Sequence, residues 1–157
     1  MTLSSLSNDE LFVRYLAQSP ELPVAVREAV RGAFAGDEIV AYALADLDRK
    51  LRLRETWFVL GAERFAVVSD ENGQYQTRCF ERATIRAISS EPGLSCQVLR
   101  VHGDPDVSPL AELYFTRRQR KSVGRIGFLL EQALAGRSIS VGDPDREYAH
   151  AVLDPVR

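Results

Sequence analysis

The sequence predicts an α+β domain in which seven short antiparallel strands form a barrel or sandwich that one C-terminal amphipathic helix closes. Apolar residues alternate with a period of two between residues 38 and 116, and the links between these runs are too short for crossover helices. Near residue 118 the period returns to 3.6. A helical pair is predicted before the strands, so the chain divides into a helical preface at 1–37, a domain at 38–136 and a tail or linker at 137–157.

The helical preface begins with a capping signal. Ser7 can cap the first helix, and Glu10 supplies the reciprocal carboxylate of a capping box. The second helix starts near Pro23, because proline suits a first helical turn, and Gly36 ends it. Apolar residues at helical spacing give each helix one apolar face: Leu11, Phe12, Tyr15 and Leu16 in the first, and Val26, Val30, Ala33 and Phe34 in the second.

Seven strands follow, separated by turn residues. Asn72-Gly73 is a strong hairpin signal because both residues tolerate positive φ, and Glu91-Pro92-Gly93 is another turn. Asp46 to Lys50 turns the chain between the first two strands, and the polar segment from His102 to Asp106 forms a longer loop. The predicted strands are 38–44, 51–60, 64–69, 74–80, 84–90, 95–102 and 110–116.

The last predicted element is an amphipathic helix that Gly136 terminates. Its apolar stripe would cover the open corner of the sheet and bury apolar surface from both elements. Gly124 and Gly127 lie within this stripe, where close helix packing explains them better than a nucleic-acid loop does. The stripe consists of Val123, Ile126, Leu130, Ala133 and Leu134.

Composition narrows the function classes. A net charge of -2, from 20 basic and 22 acidic residues, gives no reason to expect a nucleic-acid partner. No apolar stretch approaches the roughly 20 residues of a membrane span. The two cysteines lack metal-ligand spacing, so we expect no zinc site, no cofactor and a reducing cytoplasmic location.

Two stretches of the strand region resemble the bacterial PH-like, or GRAM-like, domain. Trp57–Val68 gives an aromatic-aliphatic strand, a short turn, an arginine and a second apolar strand, and Leu113–Thr116 leads into the final helix. With Ala45–Asp48 and the helix end Leu130–Gly136, the pattern is also similar to the cytoplasmic N-terminal extension of some bacterial ABC exporters. Gly61-Ala62 departs from the Thr-Asp-like turn usual there.

This resemblance implies a seven-stranded PH-like barrel that is a non-catalytic binding or regulatory module. Its partner would be a protein or peptide, including a transporter membrane or ATPase domain, or an anionic membrane surface. In the exporter case the chain would lie at the inner face of the membrane as part of a larger membrane protein, with the ATPase and transmembrane helices beyond Arg157. The sequence itself contains no G-x-x-x-x-G-K-[ST] phosphate loop.

Catalytic and metal-binding candidates are few. Cys79 or Cys96 could form a thiolate-imidazole pair with His102 or His150, but cysteines packed in strands are the simpler interpretation. Two aspartate pairs could ligate a metal, but turn formation is the favoured explanation and neither pair has the donor spacing of a calcium loop. These pairs are Asp46 with Asp48 and Asp104 with Asp106.

One basic cluster stands out at the start of the final helix. Cations at a helix N-terminus oppose the helix dipole, so an anion or acidic group there would be stabilising. We therefore expect this edge to dock phosphate, acidic lipid headgroups or an acidic partner surface; a solvated basic face or intramolecular ion pairing is the alternative. The cluster consists of Arg117, Arg118, Arg120, Lys121 and Arg125.

The sequence leaves two further alternatives for binding. An exposed strand edge could accept an extended peptide by β-augmentation. The competing class is a small-ligand-binding barrel, or an enzyme with a pocket between sheet and helix. Strand alternation makes barrel core the expected place for most of the aromatic residues, which are Trp57, Phe58, Phe65, Phe80, Tyr114 and Phe115.

Overall fold

The structure, a computed structural model, describes residues 21–93 and 96–136. The first predicted helix and the predicted tail lie outside these described residues. The second predicted helix is present as α1. In chain order the elements are α1 (Val24–Phe34), β1 (Ile39–Leu47), β2 (Leu53–Gly61), β3 (Arg64–Glu71), β4 (Gln74–Glu81), β5 (Ala87–Glu91), β6 (Gln97–His102), β7 (Ala111–Phe115) and α2 (Arg120–Leu134).

All seven strands form one antiparallel sheet in the order β4-β3-β2-β1-β7-β6-β5. The junction between β1 and β7 is narrow, since within the described residues the register pairs only Leu47 with Tyr114. Beside it, the Asp46 carboxylate accepts hydrogen bonds from the backbone N (2.8 Å) and the Oγ1 (2.5 Å) of Thr116. The sheet curls into a half-barrel: the seven antiparallel strands agree with the prediction, whereas within the described residues β4 and β5 remain the two edges and no pairing closes a full barrel.

Turn chemistry sets the strand ends. Asn72 and Gly73 have φ values of 56° and 85°, which confirms the predicted hairpin. The strand predicted at 84–90 begins later, because Arg82–Thr84 form a 3-10 turn before β5. A second 3-10 turn, Arg117–Gln119, precedes α2, so the helix proper starts at Arg120.

The main core lies on the concave face of the sheet, which α2 covers. Phe65 is fully buried there and stacks on Phe58 and Phe80, with ring centroids 5.3 and 5.1 Å away. The predicted apolar stripe of α2 is buried at Val123, Ile126 and Leu130, and Leu129 joins it. Of the predicted stripe, Ala133 is partly buried and Leu134 is exposed.

A second core lies on the convex face, where α1 packs across β2 and β3. Trp57, expected in the barrel core, belongs to this outer core instead, because consecutive residues of a strand face opposite sides and Phe58 takes the inner position. α1 thus covers the convex face at β2 and β3, while α2 lies on the concave side nearest β1, β5 and β7. The outer core consists of Leu22, Val26, Val30, Phe34, Trp57, Val59, Ala66 and Val68.

A polar clamp fixes the end of α1 to the β2–β3 turn. Asp37 Oδ2 accepts hydrogen bonds from the backbone N–H groups of Glu63 and Arg64, both at 2.9 Å. The Arg64 guanidinium donates through Nη1 to the Phe34 carbonyl at 2.6 Å, which satisfies a carbonyl at the C-terminal end of the helix. The clamp therefore couples the position of α1 to the hairpin beneath it.

Asp48 organises the loop between β1 and β2. Its Oδ1 accepts hydrogen bonds from the backbone N–H groups of Lys50 and Arg52, and its Oδ2 accepts one from Arg52 Nε, all at 2.9 Å. The backbone hydrogen bond from Arg52 is the main cause that holds the pKa of Asp48 below its ordinary value. Asp48 is therefore a loop-forming residue in this structure.

The Asp48→Asn variant is expected to lower the melting temperature at pH 7 by an amount that shrinks in acid. A carboxylate with a lowered folded-state pKa stabilises the fold above its unfolded pKa of about 3.9 and loses that effect as pH falls through the folded value. Circular dichroism melts from neutral pH down to about pH 2.5 measure the difference. Asp106→Asn, a matched change in an exposed loop, is the control; a difference that stays constant over this range would contradict the expectation.

Candidate functional site

A groove runs between the outer end of the sheet and the closing helix. Its walls are the end of β5 with β6 on one side and one face of α2 on the other, and its volume is about 430 Å³. We call it the β5–α2 groove. Its lining residues are Ser90, Glu91, Pro92, Gln97, Leu99, Phe115, Arg120, Val123, Gly124, Gly127, Phe128 and Glu131.

The floor of the β5–α2 groove is apolar. Leu99, Phe115 and Val123 are buried members of the main core whose side chains reach the groove. Gly127 brings the helix backbone close to the sheet, since a Cβ built there would lie 3.5 Å from Leu99 Cδ1, an ordinary contact distance. The predicted close helix packing is thus confirmed at Gly127.

β5 adds a backbone edge to this groove. It pairs with β6 from Ala87 to Glu91, and no other strand of residues 21–93 and 96–136 pairs with its opposite edge. Ser90 and Glu91, at the end of this strand, also line the groove. An unpaired edge presents N–H and C=O groups that an added strand can bind.

The two ends of the groove carry opposite charge. Arg120 begins α2 and Glu131 lies eleven residues later, a separation of about 16 Å along the helix at 1.5 Å per residue. Both side chains are exposed. Glu91, at the end of β5 and also part of the lining, makes an ion pair with Arg100 at 3.1 Å. The groove is therefore polarised, with its positive end at the start of the helix.

The predicted basic cluster is divided by the structure. Arg117, Arg118 and Arg120 are exposed and make no ion pair with the described residues, and Lys121 is exposed beside them. Arg125 differs, because it is 5% exposed on the face of α2 that packs on β1. There its Nη2 donates to the Tyr42 carbonyl at 3.0 Å. Of the first four residues Arg120 lines the groove, and Arg125 lies elsewhere.

A second group of cations was not anticipated from the sequence. Arg49 pairs with Glu112 at 2.9 Å, and Arg54 pairs with Glu71 at 2.7 Å, both near the β1–β2 loop. On the neighbouring strands the hydrogen bond to Glu112 is the main cause that raises the pKa of Arg100. The basic residues at 49–54 could have indicated this group from the sequence, but close acidic partners neutralise the surface that they form.

The proposed thiolate-imidazole pair is not formed by Cys79 and His102. Cys79 lies on β4 and His102 on β6, with four strands between them in the order of the sheet. Cys79 is exposed, contrary to the expectation of a packed cysteine, yet partial burial still raises the pKa of its thiol. His102 instead contacts Ser89, with Nε2 and Oγ 2.7 Å apart, in an exposed cross-strand hydrogen bond.

In the two aspartate pairs considered as metal ligands, the hydrogen bonds of the carboxylates give them structural roles. Asp46 joins β1 to Thr116, Asp48 holds its loop, and Asp104 Oδ1 accepts a hydrogen bond from the backbone N–H of Asp106 at 3.0 Å. Within the described ranges no three His, Cys, Asp or Glu side chains gather at one point as a metal site would need.

Neither α1 nor α2, the helices of the described part of the chain, has the length and hydropathy that a bilayer span requires. Comparisons with protein families, curated proteins and solved structures find no match to this chain.

Proposed function

We propose that this chain is a non-catalytic PH-like binding module that docks an extended peptide in the β5–α2 groove. The observation that carries the proposal is the edge of β5 with which no other strand of the described residues pairs, beside a groove of about 430 Å³ with an apolar floor. Backbone hydrogen bonds to β5 would supply affinity, and the groove would select side chains. Gly124 and Gly127 leave the helix wall low enough for a side chain to enter.

The lining of the groove defines the chemistry of the peptide. An apolar anchor would rest on Leu99, Phe115 and Val123, because burying apolar surface is the main favourable term available there. An acidic residue would lie toward Arg120, and a basic residue toward Glu131. This polarity fixes the direction of the peptide along the strand, since like charges in either place would be unfavourable.

The wider assignment is part of the same proposal. The seven-stranded half-barrel with a closing helix is consistent with a PH-like architecture. The further step to the cytoplasmic extension of an ABC exporter rests on the sequence resemblance alone. In that setting the peptide would belong to another domain of a transporter or to a regulatory protein. A coding sequence that continues after Arg157 into apolar 20-residue segments is the expected finding.

Peptide selection from a displayed random-peptide library on the full chain tests the groove. Gly127→Leu places a bulky side chain against Leu99 and should weaken the selected peptides by at least about tenfold, which corresponds to about 1.4 kcal/mol. Gly32→Leu is the matched control, because Gly32 lies on α1 with open space around it. Equal binding to both variants, each checked for an unchanged melting curve, would refute docking in the groove.

Charge reversal gives a second measurement that leaves the core intact. Arg120 is exposed, so the Arg120→Glu variant should select peptides with a basic residue at the position where peptides selected on the wild type carry an acidic one.

A second variant, in which Arg117, Arg118, Arg120 and Lys121 are all replaced by Gln, tests the other candidate partner, an anionic membrane. If the wild-type chain sediments with anionic liposomes, the Gln variant does not, and no peptide is selected, then the basic end of α2 docks lipid and the peptide proposal is wrong.

A further inference from the structure

The strand β4 forms the edge of the sheet that lies opposite to β5. Its eight residues, Gln74–Glu81, pair with β3 without a bulge, and no other strand of the described ranges pairs with its outer side. Proteins usually protect such an edge with a bulge, a proline or a lysine. β4 has none of these three features, so its outer side is a regular edge that a further strand can pair with.

The backbone groups on this outer side follow from the hairpin that precedes β4. Glu71 and Gln74 close a two-residue turn, so they form a hydrogen-bonded pair, and such pairs alternate along an antiparallel ladder. The hydrogen bond from Arg82 N to Glu63 O, at 2.8 Å, continues the same series beyond the other end of the strand. Every second residue of β4 therefore directs its N–H and C=O groups away from β3. In the middle of the strand these residues are Tyr75, Thr77 and Cys79.

The two faces of β4 differ in their surroundings. On the concave side Phe80 stacks on Phe65, and the Arg78 guanidinium lies 6.0 Å from the centre of the Phe80 ring. Arg78 is exposed and makes no ion pair with the described residues. On the convex side Cys79 Sγ donates to the Ala33 carbonyl at 3.7 Å, so α1 runs beside this edge. A partner strand must therefore place a neutral or acidic group opposite Arg78.

The side of α1 next to this edge carries small residues. Ala29 lies one turn before Ala33, and both are half-buried. The longer side chains of Arg27 and Arg31 instead line a cavity between α1 and the start of β1, on the other side of the helix. Ala29 and Ala33 are too short to cover the outer edge of β4, so α1 leaves room for a strand beside it.

We propose that β4 joins two copies of this chain in a homodimer, with the two strands antiparallel and Thr77 on the twofold axis. Twofold symmetry suits this pairing, because both copies then contribute the same surface. Thr77 would face Thr77 of the second copy, and Tyr75 would face Cys79 on either side of the axis, which uses the backbone groups that already point outward. The proposal does not rest on peptide docking, because β5 lies at the opposite edge of the sheet.

The charges on β4 favour this register over the adjacent ones. With Thr77 on the axis, Arg78 faces the neutral amide of Gln76 of the second copy, whose oxygen can accept a hydrogen bond. An axis at Arg78 would place the two Arg78 side chains opposite each other. An axis at Gln76 would place Glu71 opposite Glu81, and like charges directly opposite are destabilising. This self-complementarity favours a second copy over an unrelated peptide.

Sedimentation velocity of the full chain, from about 1 to 200 µM, tests the dimer. The mass should approach twice the 17.5 kDa of one chain as the concentration rises. Thr77→Pro should raise the dissociation constant at least about tenfold, because proline removes an outward N–H while the hydrogen bonds to β3 remain. Thr77→Val keeps the N–H and the β-branched shape, so this matched control should dimerise as the wild type does.

Three outcomes of this experiment would overturn the proposal. The first is a wild-type chain that stays monomeric over the whole range. The second is a Thr77→Pro variant that dimerises as the wild type does, because another surface would then join the copies. The third is a monomeric chain that binds a library peptide which Thr77→Pro no longer binds, because the edge would then belong to a different protein.

Disulfide trapping tests the register and does not depend on whether the proline variant folds. In a background with Cys79→Ser and Cys96→Ser, Thr77→Cys would place two thiols opposite each other, with Cα atoms about 5.5 Å apart, a distance that a disulfide spans. Gln74→Cys is the matched control, because its two copies would lie about 20 Å apart along the paired strands. Mild oxidation should link the Thr77→Cys chains at least about tenfold faster than the Gln74→Cys chains. Equal rates would overturn the proposal.

Discussion

The Phe65→Ala variant is expected to lose about 3–5 kcal/mol of unfolding free energy, the range for removing a buried phenylalanine. Phe65 is fully buried at the centre of the main core, between Phe58 and Phe80. Both neighbouring rings lie nearly parallel to it, at 17° and 21°. Deleting the central ring removes both stacking contacts and leaves a cavity that the surrounding strands cannot fully close.

Urea unfolding followed by circular dichroism measures this loss, and the fluorescence of Trp57, the single tryptophan, reports the outer core at the same time. Coincident transitions would show that the two cores unfold together. Phe80→Ala is the matched control: this ring is half-buried at the end of the stack, so its loss should be smaller. A loss below about 1 kcal/mol for Phe65→Ala would contradict the central position of this ring.

Local sequence signals predicted most of the fold. Asn72-Gly73 marked its hairpin because only a few residue types tolerate the positive φ that the turn requires. The stripe at Val123, Ile126 and Leu130 marked the closing helix because one side of a helix must be apolar to bury against a sheet. These features depend on neighbouring residues, so a single sequence carries them.

Features that depend on distant residues were harder to predict. Trp57 and Phe58 both follow the pattern of buried strand residues, but the sequence does not show that α1 covers the convex face beneath Trp57. Arg125 was grouped with the preceding cations, although Ser122, Ile126 and Leu129 place it on the buried side of α2. The spacing of three residues to Ser122 and of four residues to Leu129 was the signal that could have separated it.

The candidate site likewise combines features that the local sequence predicted with features that depend on the tertiary structure. The glycines of α2 were recognised as packing residues, but the groove exists because this helix passes beside the free edge of β5. Strand order decides which edge stays unpaired, and order is set by the narrow contact between β1 and β7. The basic residues at 117–121 were visible as a cluster; that Arg120 lines an apolar groove follows only from the tertiary structure.

The second large effect concerns the attachment of α1. Gly61 lies at the end of β2, next to the polar clamp of Asp37 and Arg64 that joins α1 to the β2–β3 turn. A Cβ built at Gly61 would lie 2.5 Å from Asp37 Oδ2 and 2.9 Å from Phe34 Cε2. Both distances are shorter than van der Waals contact, so the Asp37 carboxylate and the Phe34 ring must move.

Gly61→Ala is therefore expected to cost about 2–4 kcal/mol, the sum of overpacking and of weakened hydrogen bonds from Glu63 and Arg64 to Asp37. Urea unfolding measures the cost, and a double-mutant cycle identifies its cause. In an Asp37→Ala background the closest clash is absent, so the added cost of Gly61→Ala should fall. The same cost in both backgrounds would show that Asp37 does not transmit the clash, and the Phe34 ring and the Arg64 carbonyl oxygen would then carry it.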